Sequence, residues 1–498
     1  MEEFQLNPLI PMALLSLFLL YSITRISFKS SSKRKLPPSP LKLPIIGNLH
    51  QLGSSLPHRS LHSLAKKHGP LMLLHFGSVP VLIVSSAEFA REIMITHDTT
   101  FANRPRFKAM MKLTYGCRDV LLSPYGEYWR RLRSIVVLQL LSNKRVQSYS
   151  AIREEEASII VNKIRESSGI SPVDLSAMFE GFSNDVIGRS AFGRKLSDSE
   201  NGKNFLDAMA DLAELLGMIN IGDFIPWLGW IGRVNGADKR LEETAEKIDQ
   251  VIESVIKEWL HEKGLEEQSG QHFLDILLDI SKDVSIDRDS LKAIILDVFV
   301  GGTDTISTAM EWTMSELLQN PAVMKKLQHE VRGILKQKQE ITNDDLQKMH
   351  YLKVVIKEAM RLHPPLPLLV PRLAIKDVQV KGFDISAGTI VMINAWAIGR
   401  DLVSWDEPET FKPERFLNSS IDFKGLDFEL IPFGGGRRGC PGIALASAGM
   451  ELLLADLVRK FDWKLANGVE PKDLDMRESP GMTVHRAVPL LALASPAT

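Results

Sequence analysis

The stretch LIPFGGGRRGC, residues 430–440, ends in a cysteine that follows a run of glycines and arginines. It also contains the spacing G-x-G-x-x-G at Gly434, Gly436 and Gly439. Three interpretations are open: a phosphate-binding loop for a dinucleotide, a loop that presents a metal ligand, and an ordinary turn. Each implies a different fold, so the residues around the loop have to decide between them.

A dinucleotide-binding loop follows a strand, opens a helix and precedes an acidic residue by about 20 positions. The stretch FELIPF precedes the glycines, ALASAGMELLLADLV follows them, and Asp456 lies near the required distance. However, the alternation of strands and helices that a parallel sheet requires is missing upstream, and Cys440 and Pro441 interrupt the turn. A nicotinamide-dependent dehydrogenase therefore stays a distant alternative.

Cys440 has the sequence surroundings of a thiolate ligand. Arg437 and Arg438 precede it, a helix is predicted to begin near Gly442, and both features lower the pKa of a thiol. Zinc would need three further ligands at characteristic spacing, and the sequence has no such set of cysteines and histidines. A single thiolate is sufficient when a porphyrin supplies four nitrogens, although a buried structural cysteine is the more common fate of a free Cys.

The overall composition excludes some classes of protein. Among 498 residues, 60 Lys and Arg balance 61 Asp and Glu, so the net charge of −1 indicates no overall electrostatic affinity for nucleic acid. The only cysteines are Cys117 and Cys440, which argues against a disulfide framework and fits a reducing compartment.

The N-terminus carries a long apolar run. Residues 9–28 contain one charge, Arg25, and are about long enough to cross a bilayer as a helix. Acidic residues precede the run and basic residues follow it, which by the positive-inside rule places the rest of the chain in the cytosol. A cleaved signal peptide is the alternative, but the basic cluster lies on the wrong flank for one. We therefore predict a single-pass transmembrane anchor over residues 1–28.

The remainder of the chain is predicted to form one domain over residues 49–498. Residues 29–48 are basic and rich in proline, which bars helix and central strand and favours a stiff linker or hinge. Beyond them the pattern is mainly α with a minor β portion. Helical spacing is clearest over residues 151–166, 240–260, 288–319 and 443–459, and strand-like runs are LMLLHFG, VPVLIVSS and GTIVMINAWAI.

Two predicted helices contain residues that packing alone does not explain. In the run 288–319, Gly301 and Gly302 fall in mid-helix, where each costs about 1 kcal/mol relative to alanine, and Asp304 has apolar neighbours. The glycines indicate either a close helix crossing or a groove for a flat group, with Asp304 and Thr305 facing it. In YLKVVIKEAMRLHPP, Glu358 and Arg361 share one helix face. Many pairs with this spacing lie on the protein surface, where they contribute little to stability.

The stretch PFGGGRRGCPG resembles the F-x-x-G-x-R-x-C-x-G haem-thiolate signature of cytochromes P-450. The stretches WRRLR, GGTDT, KEAMR and FKPERF follow the order of that family's other motifs, so the resemblance covers essentially the whole chain. Taken together, the motifs are highly specific. The residues of FANRP, YGEYWRRLR and KEAMRLHPPLPL are similar to those in sequences of the plant microsomal A-type group. The resemblance implies a cytochrome P-450 fold behind an N-terminal anchor.

The resemblance also implies roles for individual residues. Cys440 would be the axial ligand of the haem iron, with Phe433, Gly436 and Gly442 completing the loop around it. The glycines at 301 and 302 would let the long helix pass over the porphyrin, and Asp304 with Thr305 would deliver protons to oxygen. One departure is Ile306, where the family often has Thr or Ser. Haem propionates would be held by Trp129, Arg133, Arg372 and Arg438, and a buried structural network would join Glu358, Arg361 and Arg415.

The implied reaction is insertion of one oxygen atom of O2 into a small hydrophobic metabolite. The cofactor would be haem b, with electrons from NADPH through a membrane-bound reductase and cytochrome b5 as a further candidate donor, at the endoplasmic reticulum membrane. Terpenoids are the leading substrate class, ahead of phenolics and alkaloids, and a non-oxygenating dehydratase or isomerase is the alternative. The predicted substrate pocket comprises Met110, Met111, Leu113, Leu216, Gly301, Leu368, Leu369, Val370, Met482 and Val484.

Overall fold

The computed structural model describes residues 34–53, 56–218, 220–263, 272–283, 286–336 and 338–497, together with Ser16. Apart from Ser16, the anchor predicted over residues 1–28 lies outside the described residues. The same holds for residues 29–33 of the predicted linker. The catalytic domain predicted from residue 49 onward can be followed through most of its length.

Helices dominate the described chain, so the prediction of a mainly α fold with a minor β portion is confirmed. The four windows with the clearest helical spacing all form helices, because their apolar faces are buried against one another. The α-helices are α1 (Pro57–His68), α2 (Ala87–Arg91), α3 (Asp98–Phe101), α4 (Lys108–Leu113), α5 (Glu127–Ile135), α6 (Asn143–Ser148), α7 (Ser150–Ser167), α8 (Leu175–Phe192), α9 (Glu200–Gly217), α10 (Ile221–Phe224), α11 (Ile231–Val234), α12 (Ala237–Lys263), α13 (Phe273–Asp283), α14 (Arg288–Gly302), α15 (Asp304–Gln319), α16 (Pro321–Leu335), α17 (Asn343–Lys348), α18 (His350–Leu362), α19 (Ala395–Ile398) and α20 (Ile443–Lys460).

The strands form three small sheets. The strands are β1 (Leu71–Phe76), β2 (Val79–Val84), β3 (Val173–Asp174), β4 (Arg372–Leu373), β5 (Val378–Val380), β6 (Phe383–Ile385), β7 (Ile390–Ile393), β8 (Phe461–Leu465) and β9 (Leu491–Pro496). The largest sheet has the order β1-β2-β7-β4, in which β2 and β7 run parallel and the other neighbours antiparallel. A second sheet has the order β3-β9-β8, and β5 pairs with β6. The first two strand-like runs seen in the sequence become β1 and β2, whereas GTIVMINAWAI divides into β7 and the short helix α19.

The long apolar run 288–319 forms the centre of the domain. Among the described residues, Arg288–Gln319 is the one run long and apolar enough to cross a membrane, but its most apolar window is 61% buried, as expected for a core helix. Its second half, α15, packs against α8, α18 and α20. A buried apolar cluster around Met310, Met314 and Leu317 continues into these neighbours. The run therefore provides a rigid wall for any site built beside it.

The run is not one continuous helix as its sequence suggested. Thr303 has φ −99° and ψ −65°, and it separates α14 from α15. Hydroxyl groups satisfy backbone carbonyls around the interruption, as Thr303 Oγ1 donates to the carbonyl of Phe299 at 2.8 Å and Thr305 Oγ1 to that of Gly301 at 2.7 Å. Side-chain donors of this kind compete with the backbone ladder and bend helices.

Glu358, Arg361 and Arg415 lie together in the core. Arg361 donates from Nε and Nη2 to the two carboxylate oxygens of Glu358 at 2.7 and 2.9 Å, and Arg415 Nε donates to Glu358 Oε1 at 3.0 Å. The side chains of Glu358 and Arg361 are fully buried. Arg361 also binds the carbonyls of Gly399 and Pro408. Removing one member would leave an uncompensated buried charge, at a cost of about 3–5 kcal/mol.

Candidate active site

A cavity lies between the junction of α14 and α15 and the loop that carries Cys440. Apolar side chains supply most of its wall, and charged groups cluster at one part of it, which is the usual composition of a site for an organic cofactor or substrate. Many of the residues singled out in the sequence line this cavity. They are Trp129, Arg133, Leu216, Gly301, Thr305, Leu369, Val370, Arg372, Phe433, Arg438, Cys440, Gly442 and Met482.

The loop before Cys440 is shaped by its own backbone hydrogen bonds. The amide of Cys440 donates to the carbonyl of Phe433 at 2.9 Å, and the amide of Gly439 to that of Gly436 at 3.0 Å. Gly436 has φ +65°, and a Cβ there would lie 2.1 Å from the carbonyl oxygen of Met94. Only glycine therefore fits at 436, where it shapes the loop without lining the cavity.

The thiol of Cys440 is part-buried at the wall of the cavity. Burial raises its pKa, while the amide of Gly442, 3.3 Å from Sγ, and the guanidinium of Arg133 act in the opposite direction. In the parts of the chain that the structure describes, no cluster of three His, Cys, Asp or Glu side chains could hold a metal ion. Cys440 presents its thiol to the cavity, where it would act as a single axial ligand to a haem iron.

Four arginines line the cavity and bring positive charge to it: Arg104, Arg133, Arg372 and Arg438. Arg438 donates to the carbonyls of Ala102 at 2.7 Å, Val120 at 3.2 Å and Ser123 at 2.5 Å. Its guanidinium lies 4.3 Å from the ring centroid of Trp129, whose indole also donates to Val120 at 2.9 Å.

Burial lowers the pKa values of all four arginines, and repulsion by other arginines adds to this effect at Arg104 and Arg438. Burial, followed by repulsion from Arg372, lowers the pKa of Arg438 to about 9. Burial lowers the pKa of Arg372 to about 10, and burial followed by repulsion from Arg438 and Arg372 holds that of Arg104 well below its usual range. Buried cations that repel one another are costly, so the cavity favours an anionic partner.

Sequence reasoning missed two carboxyl groups in the cavity wall, those of Asp119 and Asp297. Asp297 on α14 accepts hydrogen bonds from the amides of Val120 at 2.6 Å and Leu121 at 3.2 Å, and so holds the segment 119–122 against the helix. Burial raises the pKa of Asp119 to about 6 and that of Asp297 well above its usual value. A signal was present, since Asp297 stands alone among apolar residues in AIILDVFV.

Gly301 and Gly302 have different roles. A Cβ at Gly302 would lie 2.7 Å from Cδ1 of Ile187 on α8, so this glycine permits a close helix crossing. A Cβ at Gly301 would meet nothing within 4 Å, and Gly301 borders the cavity. Gly302 lines the cavity as well, so the groove interpretation holds for both glycines and the helix-crossing interpretation for Gly302.

Thr305 and Asp304 do not share one face. Thr305 lines the cavity, as does Ile306, whereas Asp304 is outside the lining. The carboxylate of Asp304 lies instead 2.8 Å from Nε2 of His485, a residue that the sequence analysis did not single out. The sequence predicted that Asp304 faces the groove beside Thr305, and the structure corrects this prediction. α15 begins at Asp304, and the carboxylate of Asp304 points to the C-terminal segment.

Five predicted pocket residues also lie outside the lining. Met110 and Met111 pack with Cys117 and Leu122 behind the cavity wall. Each of the others belongs to a neighbouring apolar cluster or supports the wall through its backbone. They are Leu113 in the cluster around α9 and α12, Leu368 in the cluster under β1 and β2, and Val484, whose carbonyl accepts a 2.9 Å hydrogen bond from Trp312.

The residues present fit a haem. Nη1 of Arg372 is buried, lies 3.5 Å from Asp98 Oδ1 and makes no hydrogen bond with another described residue, so it has capacity for a carboxylate. The open space at Gly301 admits a flat group beside the helix. Cys440 would ligate the iron, and Arg372 and Arg438 would pair with the propionates. Fold and site together define a haem-thiolate protein.

Comparisons with known proteins give the same class. Residues 37–490 match the cytochrome P450 family model. Cytochrome P450 736A117 of Prunus mume is 52% identical over 98% of this chain and 95% of its own length. The tabersonine/lochnericine 19-hydroxylase of Catharanthus roseus is 51% identical over 94% of each chain, and the (+)-menthofuran synthase of Mentha piperita is 49% identical over 94% of each.

A solved structure supports the fold directly. A zebrafish cytochrome P450 with abiraterone superimposes with a TM-score of 0.75 at 26% identity, over 89% of this chain and 100% of that one. The chain belongs to the cytochrome P450 family. It is therefore an oxidoreductase of the monooxygenase class, whose family uses haem b and electrons from NADPH through a reductase.

Substituting the two glycines separately tests their division of roles. We expect Gly302→Ala to lower the free energy of unfolding by about 1–3 kcal/mol, because its Cβ meets Ile187. Gly301→Ala should retain stability, or gain up to about 1 kcal/mol from helix propensity, while narrowing the cavity. Chemical denaturation measures the first effect, and spectral titration with an azole haem ligand measures the second.

Ile187→Val offers a matched control, since it removes the Cδ1 atom that the new methyl group would meet. Combined with Gly302→Ala, it should restore part of the lost stability. Equal destabilisation by the two glycine substitutions would contradict the assignment.

Proposed function

We propose that this cytochrome P450 inserts one oxygen atom of O2 into a small hydrophobic specialised metabolite, with a terpenoid as the favoured class. The observation that carries the proposal is the cavity, where Leu216, Leu369, Val370 and Met482 form apolar wall beside the hydroxyl of Thr305. Such a wall orients a substrate by shape and excludes water. Phenolics and alkaloids remain the next classes.

Relatives of about 50% identity support this range of substrates. The name of the Mentha piperita enzyme, (+)-menthofuran synthase, specifies a monoterpenoid product, whereas the Catharanthus roseus enzyme hydroxylates tabersonine and lochnericine. In a hydrophobic pocket, one methylene group alters discrimination between substrates by about 1–3 kcal/mol. The size of the cavity wall residues, rather than the family, therefore selects the substrate.

In the proposed mechanism the chain binds, orients and supplies protons. When bound, haem supplies the activation of O2 and the oxidising equivalent. Cys440 would ligate its iron and supply electron density to it, and Phe433 packs against Phe423 with ring centroids 5.3 Å apart. Thr305 presents its hydroxyl to the cavity, and Asp304 provides protons to it from behind the wall. Electrons would arrive from an NADPH-dependent reductase, with cytochrome b5 as a further candidate donor.

A non-oxygenating dehydratase or isomerase is the second candidate. Two observations favour it: Ile306 occupies the position where the family often has Thr or Ser, and Asp304 is bound to His485 instead of facing the cavity. Both reduce the polar groups that can carry protons to oxygen. This candidate predicts turnover that needs neither NADPH nor O2.

A turnover assay separates the two candidates. The full chain with a plant reductase would be incubated with monocyclic monoterpenes, monoterpenoid indole alkaloids and simple phenolics, and products followed by mass spectrometry. We expect a product 16 mass units heavier, formed only with NADPH and O2, from a monoterpene. Thr305→Ala should lower product formed per NADPH several-fold. Thr313→Ala is the control, because the hydroxyl of Thr313 donates to the carbonyl of Ala309 outside the cavity lining. NADPH-independent product, or unchanged coupling in Thr305→Ala, would contradict the proposal.

We also propose attachment to the endoplasmic reticulum membrane through the predicted anchor and an apolar surface of the domain. Trp227, Trp230 and Val234 are 63, 55 and 76% exposed, and Leu41 is 92% exposed. The segments 41–47 and 224–234, which carry these residues, both adjoin the β1–β2 turn. Gly47 forms a β-bridge with Phe76, and the amide of Ser78 donates to the carbonyl of Phe224 at 3.1 Å. Exposed tryptophans of this kind suit a bilayer interface.

Fluorescence quenching by brominated lipids measures this contact in nanodiscs of the full chain. The double substitution of Trp227 and Trp230 by Phe should remove most of the quenched component, since indole rings at the interface lie within reach of the bromine atoms. Trp405→Phe is the matched control, because Trp405 is 4% exposed. Equal quenching in the double variant and in the wild type would contradict this part of the proposal.

A further inference from the structure

His485 contacts two residues of α15 at once. Its Nε2 lies 2.8 Å from Asp304 Oδ1, and its Nδ1 lies 3.0 Å from Thr308 Oγ1. Thr483, two residues earlier in the chain, also forms a hydrogen bond to Asp304. Asp304 is thus held by the C-terminal segment behind the cavity wall, although its neighbour Thr305 lines the cavity.

The contacts of His485 accommodate a protonated imidazole. The ionised carboxylate of Asp304 accepts a hydrogen bond from Nε2. When the hydroxyl of Thr308 donates to the carbonyl of Asp304, 2.7 Å away, its oxygen accepts from Nδ1, and both ring nitrogens are then donors, as in the imidazolium form.

Charges on the surrounding elements favour the same state. Burial acts to lower the pKa of His485, but the hydrogen bond and charge of Asp304, with Glu311 on α15 and Glu180 on α8, raise it above its usual value. Burial acts to raise the pKa of Asp304, yet His485 and Thr483 lower it. Arg486 is the nearby cation, and its Nη1 is bound to Ser315 Oγ at 3.0 Å.

The segment that carries His485 is part of the cavity wall. Met482 and Thr483 line the cavity. Val484 is held by hydrogen bonds at both its amide and its carbonyl group. Its amide donates to the carbonyl of Pro365 at 2.9 Å, and its carbonyl accepts from Trp312 Nε1 at 2.9 Å. His485 therefore has a defined position relative to both the cavity and α15.

We propose that His485 is a positioning residue for proton delivery: it holds Asp304 ionised and outside the cavity, so that parting of this ion pair limits the transfer of protons towards Thr305. The inference rests on the proposed role of Asp304 in proton delivery. An ionised carboxylate has no proton to give, so Asp304 must first take one from solvent and leave His485. Weakening the pair should then make delivery easier.

The pair also sets a range of pH. Because the pKa of His485 is raised in the fold, its stabilising contribution is complete below the unfolded value of about 6.5 and is lost as pH rises through the folded value. Because the pKa of Asp304 is lowered, its contribution is complete above about 3.9 and is lost as pH falls. The ion pair is therefore intact between about pH 3.9 and 6.5, and it weakens as pH rises through the raised pKa of His485.

The first test needs no substrate. In the full chain labelled with 13C at histidine Cε1, the resonance of His485 is assigned by its absence in His485→Gln and followed against pH. We expect a midpoint above about 6.5, lowered by at least one unit in Asp304→Asn. A midpoint at or below the usual value, or one that Asp304→Asn does not move, would overturn the inference.

The second test measures proton delivery without a substrate. With reductase and NADPH alone, O2 is reduced by two electrons to hydrogen peroxide or by four electrons to two waters, and further protons favour water. At pH 6.5 we expect His485→Gln to lower the peroxide released per NADPH about twofold, and His485→Lys, which retains a cation, to stay near the wild type. His363→Gln is the matched control, since His363 pairs at 2.7 Å with Glu316 on the same helix.

The outcomes distinguish a failure of the inference about His485 from a failure of the proton delivery proposed for Asp304. If Asp304→Asn changes the peroxide share and His485→Gln does not, the role of Asp304 stands and that of His485 is overturned. If Asp304→Asn has no effect, the proposed proton delivery fails, and the inference about His485 fails with it. Should His485→Gln not fold, Thr308→Ala removes the second anchor of the imidazole and should lower the peroxide share in the same direction.

Discussion

The sulfur of Cys440 can serve as an axial ligand only if the loop that carries it is held in place, and hydrogen bonds from Arg438 to three backbone carbonyls supply this constraint. They join the loop to the segment 102–123, which Asp297 in turn ties to α14. The thiol, the arginines and the central helix thereby form one rigid unit. Preorganisation of this kind is what a ligand to a reactive metal requires.

The junction of α14 and α15 at Thr303 lies beside the cavity. Thr305 lines the cavity there, while the carboxylate of Asp304, the preceding residue, contacts His485. Gly302 brings the helix close to α8 at the same point, and Gly301 leaves space on the cavity side. Local departures from regular structure therefore concentrate at the site, as expected where function competes with stability.

Much of this arrangement could be predicted from the sequence. The remaining features could not be predicted, for identifiable physical reasons. The loop around Cys440 was predictable because its residues are contiguous and each spacing has a chemical meaning. Helical spacing likewise predicted α7, α12 and α20. In contrast, β8 and β9 pair residues 461–465 with 492–496, and such short strands depend on distant partners more than on local pattern. The partner of Asp304 was also hidden, because His485 lies about 180 residues away in the chain.

The central claim is that Cys440 is the thiolate ligand of a haem, and the spectrum of the reduced protein under carbon monoxide tests it most directly. The account predicts a thiolate-type Soret band in the wild type that is lost in Cys440→Ala. Cys117→Ala is the matched control, because Cys117 is the only other cysteine and is buried among Met110 and Leu122. It should leave the band in place. A thiolate-type band that survives Cys440→Ala would contradict the account.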